Sequence, residues 1–303
     1  MSASPVTALA KPAARAGVGD PRWLRYVRLT RLDKPIGIYL LLWPTLDALW
    51  LCAGGWPGWR LVLIFVAGTV LTRSAGCAVN DLADRKFDAH VERTSARPLA
   101  QGQMRSAEAI ALAIVLAALA AATLPLLDRA VLPLAFVAVL VAISYPFFKR
   151  FFPIPQAYLG IAFSFGIPMA SAAVLGSVST HAWWLFVANL FWVVAYDTEY
   201  AMVDRRDDLR IGLRSSAIFF GRADLAAIAT CYLVYLVALA LIGRSAGLGV
   251  VFAAGWLVAS SCALAHLWWI RGRDPAQCLR AFRHNHWLGL ALFCAIAADY
   301  ALR

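Results

Sequence analysis

The chain has 303 residues, of which 62% are hydrophobic and only 15% are charged, and its mean hydropathy is +0.69. A soluble domain of this length cannot bury so much apolar surface in one core, whereas a bilayer accommodates about 20 apolar residues at each crossing. The net charge of +11 is explained by membrane orientation, so we predict an all-α polytopic membrane protein and no nucleic-acid partner.

The N-terminal residues 1–22 are rich in Ala and Pro and contain no continuous apolar stretch. We predict that they form a disordered tail ahead of a single transmembrane domain at 23–303. Because this tail is basic and has no acidic residue before Asp20, a mitochondrial transit peptide is the alternative interpretation.

Hydropathy predicts nine transmembrane helices, near residues 36–54, 59–80, 106–126, 130–148, 156–177, 182–203, 224–243, 246–269 and 285–302. Nearly all of the 28 Lys and Arg residues fall in the N-terminal arm and in every second connection. The few on the opposite side are Arg60, Arg129, Arg244 and Arg303. Positive charge marks the cytoplasmic side, so the N-terminus is predicted to be cytoplasmic and the C-terminus to lie outside.

Two clusters of acidic residues lie at the cytoplasmic ends of the second and sixth predicted spans. Their members are Asp81, Asp84 and Asp88 in the first cluster and Asp197, Asp204 and Asp208 in the second. Each spacing returns to one face of a helix, and both ends lie on the same side, so the clusters can meet across one cavity.

Several carboxylates at membrane depth repel one another and need compensation by a cation. Mg²⁺ prefers oxygen ligands and is usually shared with substrate phosphates, so two opposed acidic faces predict Mg²⁺ ions that bridge a diphosphate. The alternative is that these acids are solvated at helix ends.

The acidic segments carry a family resemblance. Residues 80–88 read NDLADRKFD and resemble the N-D-x-x-D-x-x-x-D motif of the UbiA-type intramembrane aromatic prenyltransferases. Residues 197–204 read DTEYAMVD and resemble their second motif, D-x-x-Y-A-x-x-D. The likeness covers about residues 25–300 and, through segments such as DKPIG at 33–37, is greatest to the bacterial 4-hydroxybenzoate polyprenyltransferases.

The resemblance implies a nine-helix bundle around a cavity that opens to lipid. It also implies Mg²⁺-dependent transfer of a polyprenyl group from polyprenyl diphosphate to the ring carbon ortho to the hydroxyl of 4-hydroxybenzoate, an early step of ubiquinone biosynthesis. The metal ligands that it implies are Asn80, Asp84, Asp197 and Asp204. Spacing adds Asp81 and Asp88 as further candidates.

Catalytic roles are expected for Asp197, Asp84 and Arg150. A carboxylate at the cavity floor, such as Asp197, can activate the phenol or remove the ring proton, unless metal binding occupies it. The basic residues expected to bind the diphosphate are Arg73, Lys149, Arg150, Arg85 and Arg214. For Lys149 and Arg150 the alternative role is that of positive-inside anchors.

The pocket for the aromatic substrate and the allylic cation is expected to contain Arg73, Tyr145, Tyr200, Asp33 and Lys34. Arg73 lies inside a predicted span, where it needs an anion: the benzoate carboxylate, a diphosphate oxygen or, as the alternative, a structural acid such as Asp47. Tyrosine rings can stabilise the allylic cation by cation–π contact.

Two other functions remain open. One is a prenyltransferase of the same family with another aromatic acceptor, such as homogentisate. The other is an ion-coupled transporter, although transport sites tend toward the bilayer midplane, whereas these acids gather at one face beside basic loops. The expected location is the bacterial inner membrane with the active site facing the cytoplasm, and the alternative is the mitochondrial inner membrane. The sequence does not predict the oligomeric state.

Overall fold

The computed structural model describes residues 21–148 and 150–303, and the regular structure within these ranges is entirely helical. The α-helices are α1 (Arg22–Leu29), α2 (Ile36–Ala53), α3 (Trp59–Asp88), α4 (Ser106–Ala121), α5 (Val131–Phe148), α6 (Pro155–Ser164), α7 (Gly166–Leu175), α8 (Thr180–Ile211), α9 (Ser216–Phe220), α10 (Asp224–Ser245), α11 (Val250–Ile270) and α12 (Pro275–Ala301). Short 3-10 turns occupy Leu124–Leu126 and Gly221–Ala223. The predicted tail lies almost wholly outside the described residues, and α1 begins at its end.

Seven segments of the described chain are long and apolar enough to cross a membrane. They comprise α2, α3, α4 with its following turn, α5, α6 with α7, α9 with α10, and α11. This confirms the prediction of an all-α, multi-pass membrane protein. The predicted spans at 182–203 and 285–302 correspond to α8 and α12, which are long but less apolar because each buries polar side chains, among them Asn189 and Glu199 in α8 and Asn285 in α12.

Three helices extend well beyond the predicted spans. Helix α3 continues to Asp88, α8 continues to Ile211, and α12 already begins at Pro275. Hydropathy detects only the apolar part of a helix, whereas the backbone hydrogen bonds continue into polar sequence. As a result, both acidic motifs lie within unbroken helices, which hold them rigidly.

The predicted span at 156–177 is interrupted at Phe165 and forms two helices, α6 and α7. The first residue of α7 is Gly166, where an added Cβ would lie only 2.2 Å from Oγ1 of Thr45 on α2. Glycine therefore permits α7 to approach α2 more closely than any other residue would.

Helix α8 packs against α6, α10 and α12, while α12 also packs against α2 and α11. A buried polar cluster joins these helices around Glu199, whose carboxylate lies 2.8 Å from the hydroxyl of Tyr232 and accepts a 2.9 Å hydrogen bond from Asn285. The Tyr232 hydroxyl also lies 3.0 Å from Nδ1 of His266. Such a satisfied buried network fixes the mutual positions of four helices.

Candidate active site

A large cavity of about 1080 Å³ lies between the two acidic motifs. Its wall combines residues from α1 to α8 and from α12. The motif residues that line it are Asn80, Asp81, Asp84 and Asp88 from α3, and Asp197, Asp204 and Asp208 from α8. The two clusters therefore face one common space.

Two members of the first cluster form ion pairs with arginines. Asp81 is only 1% exposed, and its two oxygens accept 2.8 Å hydrogen bonds from the guanidinium of Arg31. The guanidinium of Arg97 lies 2.9 Å from Asp81 and 2.8 Å from Asp88. Arg31 adopts a left-handed backbone conformation with φ of 60°, which a non-glycine residue adopts only where its surroundings hold it. Asp81 and Asp88 are thus neutralised within the protein.

The second cluster is linked to the loop that follows α3. Nε of Arg93 donates a 3.0 Å hydrogen bond to Asp204, and the guanidinium lies 4.3 Å from the ring centre of Tyr200. Burial by itself lowers the pKa of Arg93, but Tyr200 and Asp204 outweigh it and raise the pKa, so the guanidinium stays charged. The loop after the first motif therefore contacts the second motif directly.

The donor set suits a metal ion that is shared with a substrate. Within residues 21–148 and 150–303, no three His, Cys, Asp or Glu side chains converge closely enough to hold a metal by themselves. Asn80 and Asp84 lie about one turn apart on α3, Asp197 and Asp204 lie about two turns apart on α8, and all four line the cavity. Mg²⁺ commonly takes one or two carboxylates from a protein and completes its shell with phosphate oxygens and water.

Arg73 lies on α3 two turns before Asn80 and also lines the cavity. Its guanidinium lies 5.2 Å from the ring centre of Phe163, and its Nε is buried without a hydrogen-bond partner in the described part of the chain. The alternative pairing with Asp47 is not seen, because both carboxylate oxygens of Asp47 are likewise buried without such a partner.

The remaining predicted residues fall into two groups. Those that line the cavity are Asp33, Lys34, Tyr145, Tyr200 and Arg214. Arg85 and Arg150 do not: Arg85 is exposed and donates to the carbonyl of Leu82 in its own helix, and Arg150 is exposed and lies over the ring of Phe147. Diphosphate binding by Arg85 and Arg150 stays a prediction, and Lys149 lies outside the described residues.

Arg31, Arg93 and Arg97 also line the cavity, although they are not among the predicted site residues, since membrane orientation already accounts for their charge. Their position in the sequence could have indicated a role in the site. Arg93 and Arg97 lie in the loop after the first acidic motif, and Arg31 shortly precedes the DKPIG segment. Arginines that orient the protein in the membrane and arginines that neutralise the acidic motifs occur in the same loops. The amino-acid composition of a loop therefore cannot separate the two roles.

One side of the cavity opens toward the apolar exterior of the bundle. Ile114 on α4 and Val139 and Ile143 on α5 line the cavity, yet they are 62%, 53% and 53% exposed, respectively. Helix α4 packs against α3, and α5 packs against α3 and α6. The opening therefore lies along α4 and α5, where the surface is apolar.

Residues 41–289 match the family model described as the UbiA prenyltransferase family, and the chain belongs to this family. It is 58% identical over 279 residues to a 4-hydroxybenzoate octaprenyltransferase of Burkholderia vietnamiensis (strain G4 / LMG 22486), an alignment that covers 92% of this chain and 96% of the relative. It is 56% identical to the 4-hydroxybenzoate octaprenyltransferase of Herminiimonas arsenicoxydans, with 92% and 98% covered.

Solved structures share the fold. A UbiA homolog from Aeropyrum pernix K1 in its apo form superimposes with a TM-score of 0.73 and 25% identity, covering 88% of this chain and 97% of the homolog. A UbiA homolog from Archaeoglobus fulgidus, bound to GPP and Mg²⁺, gives a TM-score of 0.68 at 19% identity, covering 90% and 99%.

Proposed function

We propose that this protein transfers a polyprenyl group from polyprenyl diphosphate to the ring carbon ortho to the hydroxyl of 4-hydroxybenzoate. The products are 3-polyprenyl-4-hydroxybenzoate, an early intermediate of ubiquinone biosynthesis, and diphosphate. The observation that carries the proposal is the single cavity that both acidic motifs line and that opens on an apolar side. Close relatives named for this activity, aligned over most of the chain, support the choice of substrates.

The residues that would hold Mg²⁺ are Asn80, Asp84, Asp197 and Asp204. Mg²⁺ bound there would neutralise charge on the diphosphate and so favour loss of the leaving group. Asp81 and Asp88, which the spacing added as candidate ligands, pair with Arg31 and Arg97, so we assign them a structural role. Arg214 lines the cavity and would supply positive charge toward the leaving group.

The reaction breaks the allylic C–O bond, and its electron pair leaves with the diphosphate. The aromatic ring carbon then bonds to the allylic carbon and loses its proton. We assign removal of this proton, or activation of the phenol, to Asp197. The rings of Tyr145 and Tyr200 line the same cavity and are suited to stabilise the allylic cation.

Arg73 is suited to bind the acceptor carboxylate. In the described chain, Arg31, Arg93 and Arg97 at the acidic end already pair with aspartates, whereas Arg73 forms no such ion pair and lies deeper in the bundle. A guanidinium recognises a carboxylate through two parallel hydrogen bonds. Asp33 and Lys34 are exposed and also line the cavity, so they are suited to meet a soluble acid as it enters.

The nine-span arrangement, with α8 and α12 as spans that the bundle shields from lipid, is part of this proposal. So are the cytoplasmic N-terminus, the external C-terminus and the location of the active site at the cytoplasmic face of a bacterial inner membrane. Excess Lys and Arg in alternate connections support this orientation. The mitochondrial inner membrane is the alternative, and membrane lipid surrounds the prenyl tail in either case.

The test uses the full chain purified in detergent with geranyl diphosphate and 4-hydroxybenzoate, in the presence of Mg²⁺ or of a chelator. We expect C-prenylated 4-hydroxybenzoate with Mg²⁺ and none with the chelator. Prenylated homogentisate, without prenylated 4-hydroxybenzoate, would change the acceptor. Ion uptake into proteoliposomes without any prenylated product would favour the transporter alternative.

A further inference from the structure

The second residue of α2, Gly37, lies directly against the guanidinium of Arg73. A Cβ built at this glycine would lie 2.6 Å from Nε, 2.7 Å from Nη2 and 3.0 Å from Cζ of the arginine. Side-chain carbons do not approach other heavy atoms this closely, because such a distance is well inside van der Waals contact. Any side chain at position 37 therefore forces the guanidinium to move.

The guanidinium is held from two directions. The backbone of α2 at Gly37 borders one part of it, and Phe163 of α6 lies with its ring centre 5.2 Å from Cζ. These two neighbours restrict the orientation of the guanidinium, and two parallel hydrogen bonds to a carboxylate depend strongly on that orientation.

We propose that Gly37 is a positioning residue that determines acceptor specificity: its missing side chain lets Arg73 take the orientation in which it receives the carboxylate of the aromatic acid. This inference rests on the proposed function and assigns to Gly37, which lines the cavity, an effect that it exerts through Arg73. Because the atoms that an alanine would meet are the far end of a flexible side chain, the substitution displaces Arg73 without disrupting the packing of α2.

The test is steady-state kinetics of the full-length Gly37→Ala variant in detergent, varying each substrate separately. We expect the KM for 4-hydroxybenzoate to rise about 10- to 100-fold, the loss typical of a charged hydrogen bond, while the KM for geranyl diphosphate stays unchanged. Preference for the free acid over its methyl ester should fall by a similar factor. The matched control is Gly68→Ala, also on the cavity wall, where an added Cβ meets nothing within 4 Å.

Two further variants separate positioning from folding. Arg73→Ala should show the same selective rise in KM, and Gly37→Ala should have no added effect in that background, because the two residues act as one unit. If Gly37→Ala lowers the yield of folded protein, Arg73→Lys tests the same geometry without the clash and should weaken binding of the acid only.

Three results would overturn the inference: an unchanged KM for 4-hydroxybenzoate, a raised KM for geranyl diphosphate instead, or fully additive effects in the double variant. Each of these leaves the proposed function standing, since the parent protein still makes product. Absence of product from the parent protein would refute the proposed function itself.

Discussion

We propose different tasks for neighbouring aspartates of the first motif. Both line the cavity, but Asp81 forms ion pairs with Arg31 and Arg97, while Asp84, one turn later on α3, is the proposed metal ligand. Both are acids of the same motif, so the motif alone does not distinguish them. The arginine pairs of Asp81 are the reason for assigning it a structural role.

Replacing Asp84 by Asn is expected to lower kcat by about 10²–10³-fold, the usual cost of removing one group that stabilises charge in an active site. The apparent affinity for Mg²⁺ should fall as well, which a titration of activity against Mg²⁺ measures. Undiminished turnover at low Mg²⁺ would contradict the assignment.

Replacing Asp81 by Asn has a different expected result. Removing one partner of a buried ion pair costs about 3–5 kcal/mol of unfolding free energy. In this variant Arg31 loses the carboxylate with which it pairs, and Arg97 keeps only Asp88. The apparent melting temperature in detergent should fall, while the Mg²⁺ dependence of the remaining activity stays as in the parent protein. A variant with normal stability and weakened Mg²⁺ binding would instead make Asp81 a ligand.

Asp197→Asn tests the proposed base. We expect product formation at saturating Mg²⁺ to fall at least about 100-fold, the lower range for loss of a general acid or base. The control is Asp207→Asn on the same helix, because Asp207 accepts a hydrogen bond from the backbone of Glu92 and does not line the cavity. Parent-like turnover of Asp197→Asn would remove this residue from the mechanism.

At the scale of elements, α8 has two functional faces. Asp197, Tyr200 and Asp204 face the cavity, while Glu199 points to the opposite side and joins the polar cluster with Tyr232 and Asn285. The cluster ties α8 to its neighbours and so fixes the position of the second motif. The carboxylate of Glu199 therefore supports the site indirectly, by holding α8 in place.

The variant Tyr232→Phe removes the hydroxyl from this cluster without changing the ring. Leaving buried partners unsatisfied costs about 1–3 kcal/mol, so the apparent melting temperature should fall. Tyr300→Phe near the end of α12, outside the cluster, is the matched control and should have little effect. Equal melting temperatures for the two variants would show that the cluster contributes no stability.

The sequence predicted much of the fold and a part of the site, for identifiable reasons. The acidic motifs lie on single helices, and helical spacing is enough to place Asp84, Asp197 and Asp204 on common faces. The arginine pairs and the break at Phe165 depend on contacts between elements distant in sequence, which spacing does not contain. The burial of Glu199 likewise follows from the packing of α10 and α12 against α8.

At the scale of the whole molecule, the opening along α4 and α5 predicts how chain length is treated. Ala138 of α5 lines the cavity at this side, and Ala138→Phe should obstruct the path of a long prenyl tail. We expect kcat/KM to fall about tenfold or more for long polyprenyl diphosphates but little for geranyl diphosphate, a discrimination of the size that steric groups in apolar pockets give.

The matched control for this prediction is Val137→Phe, one residue earlier on α5, which is exposed and does not line the cavity. It adds similar apolar bulk on the outer face and should leave the preference for chain length unchanged. Equal losses with short and long substrates for Ala138→Phe would argue that the tail takes another path.

A cavity that is open at one side cannot select a prenyl chain by its total number of isoprene units. If the tail leaves through the side along α4 and α5, lipid solvates every unit beyond the first few in the same way, whatever their number. The length of the quinone side chain is then set by the synthase that makes the polyprenyl diphosphate. This protein transfers whatever chain length that synthase supplies.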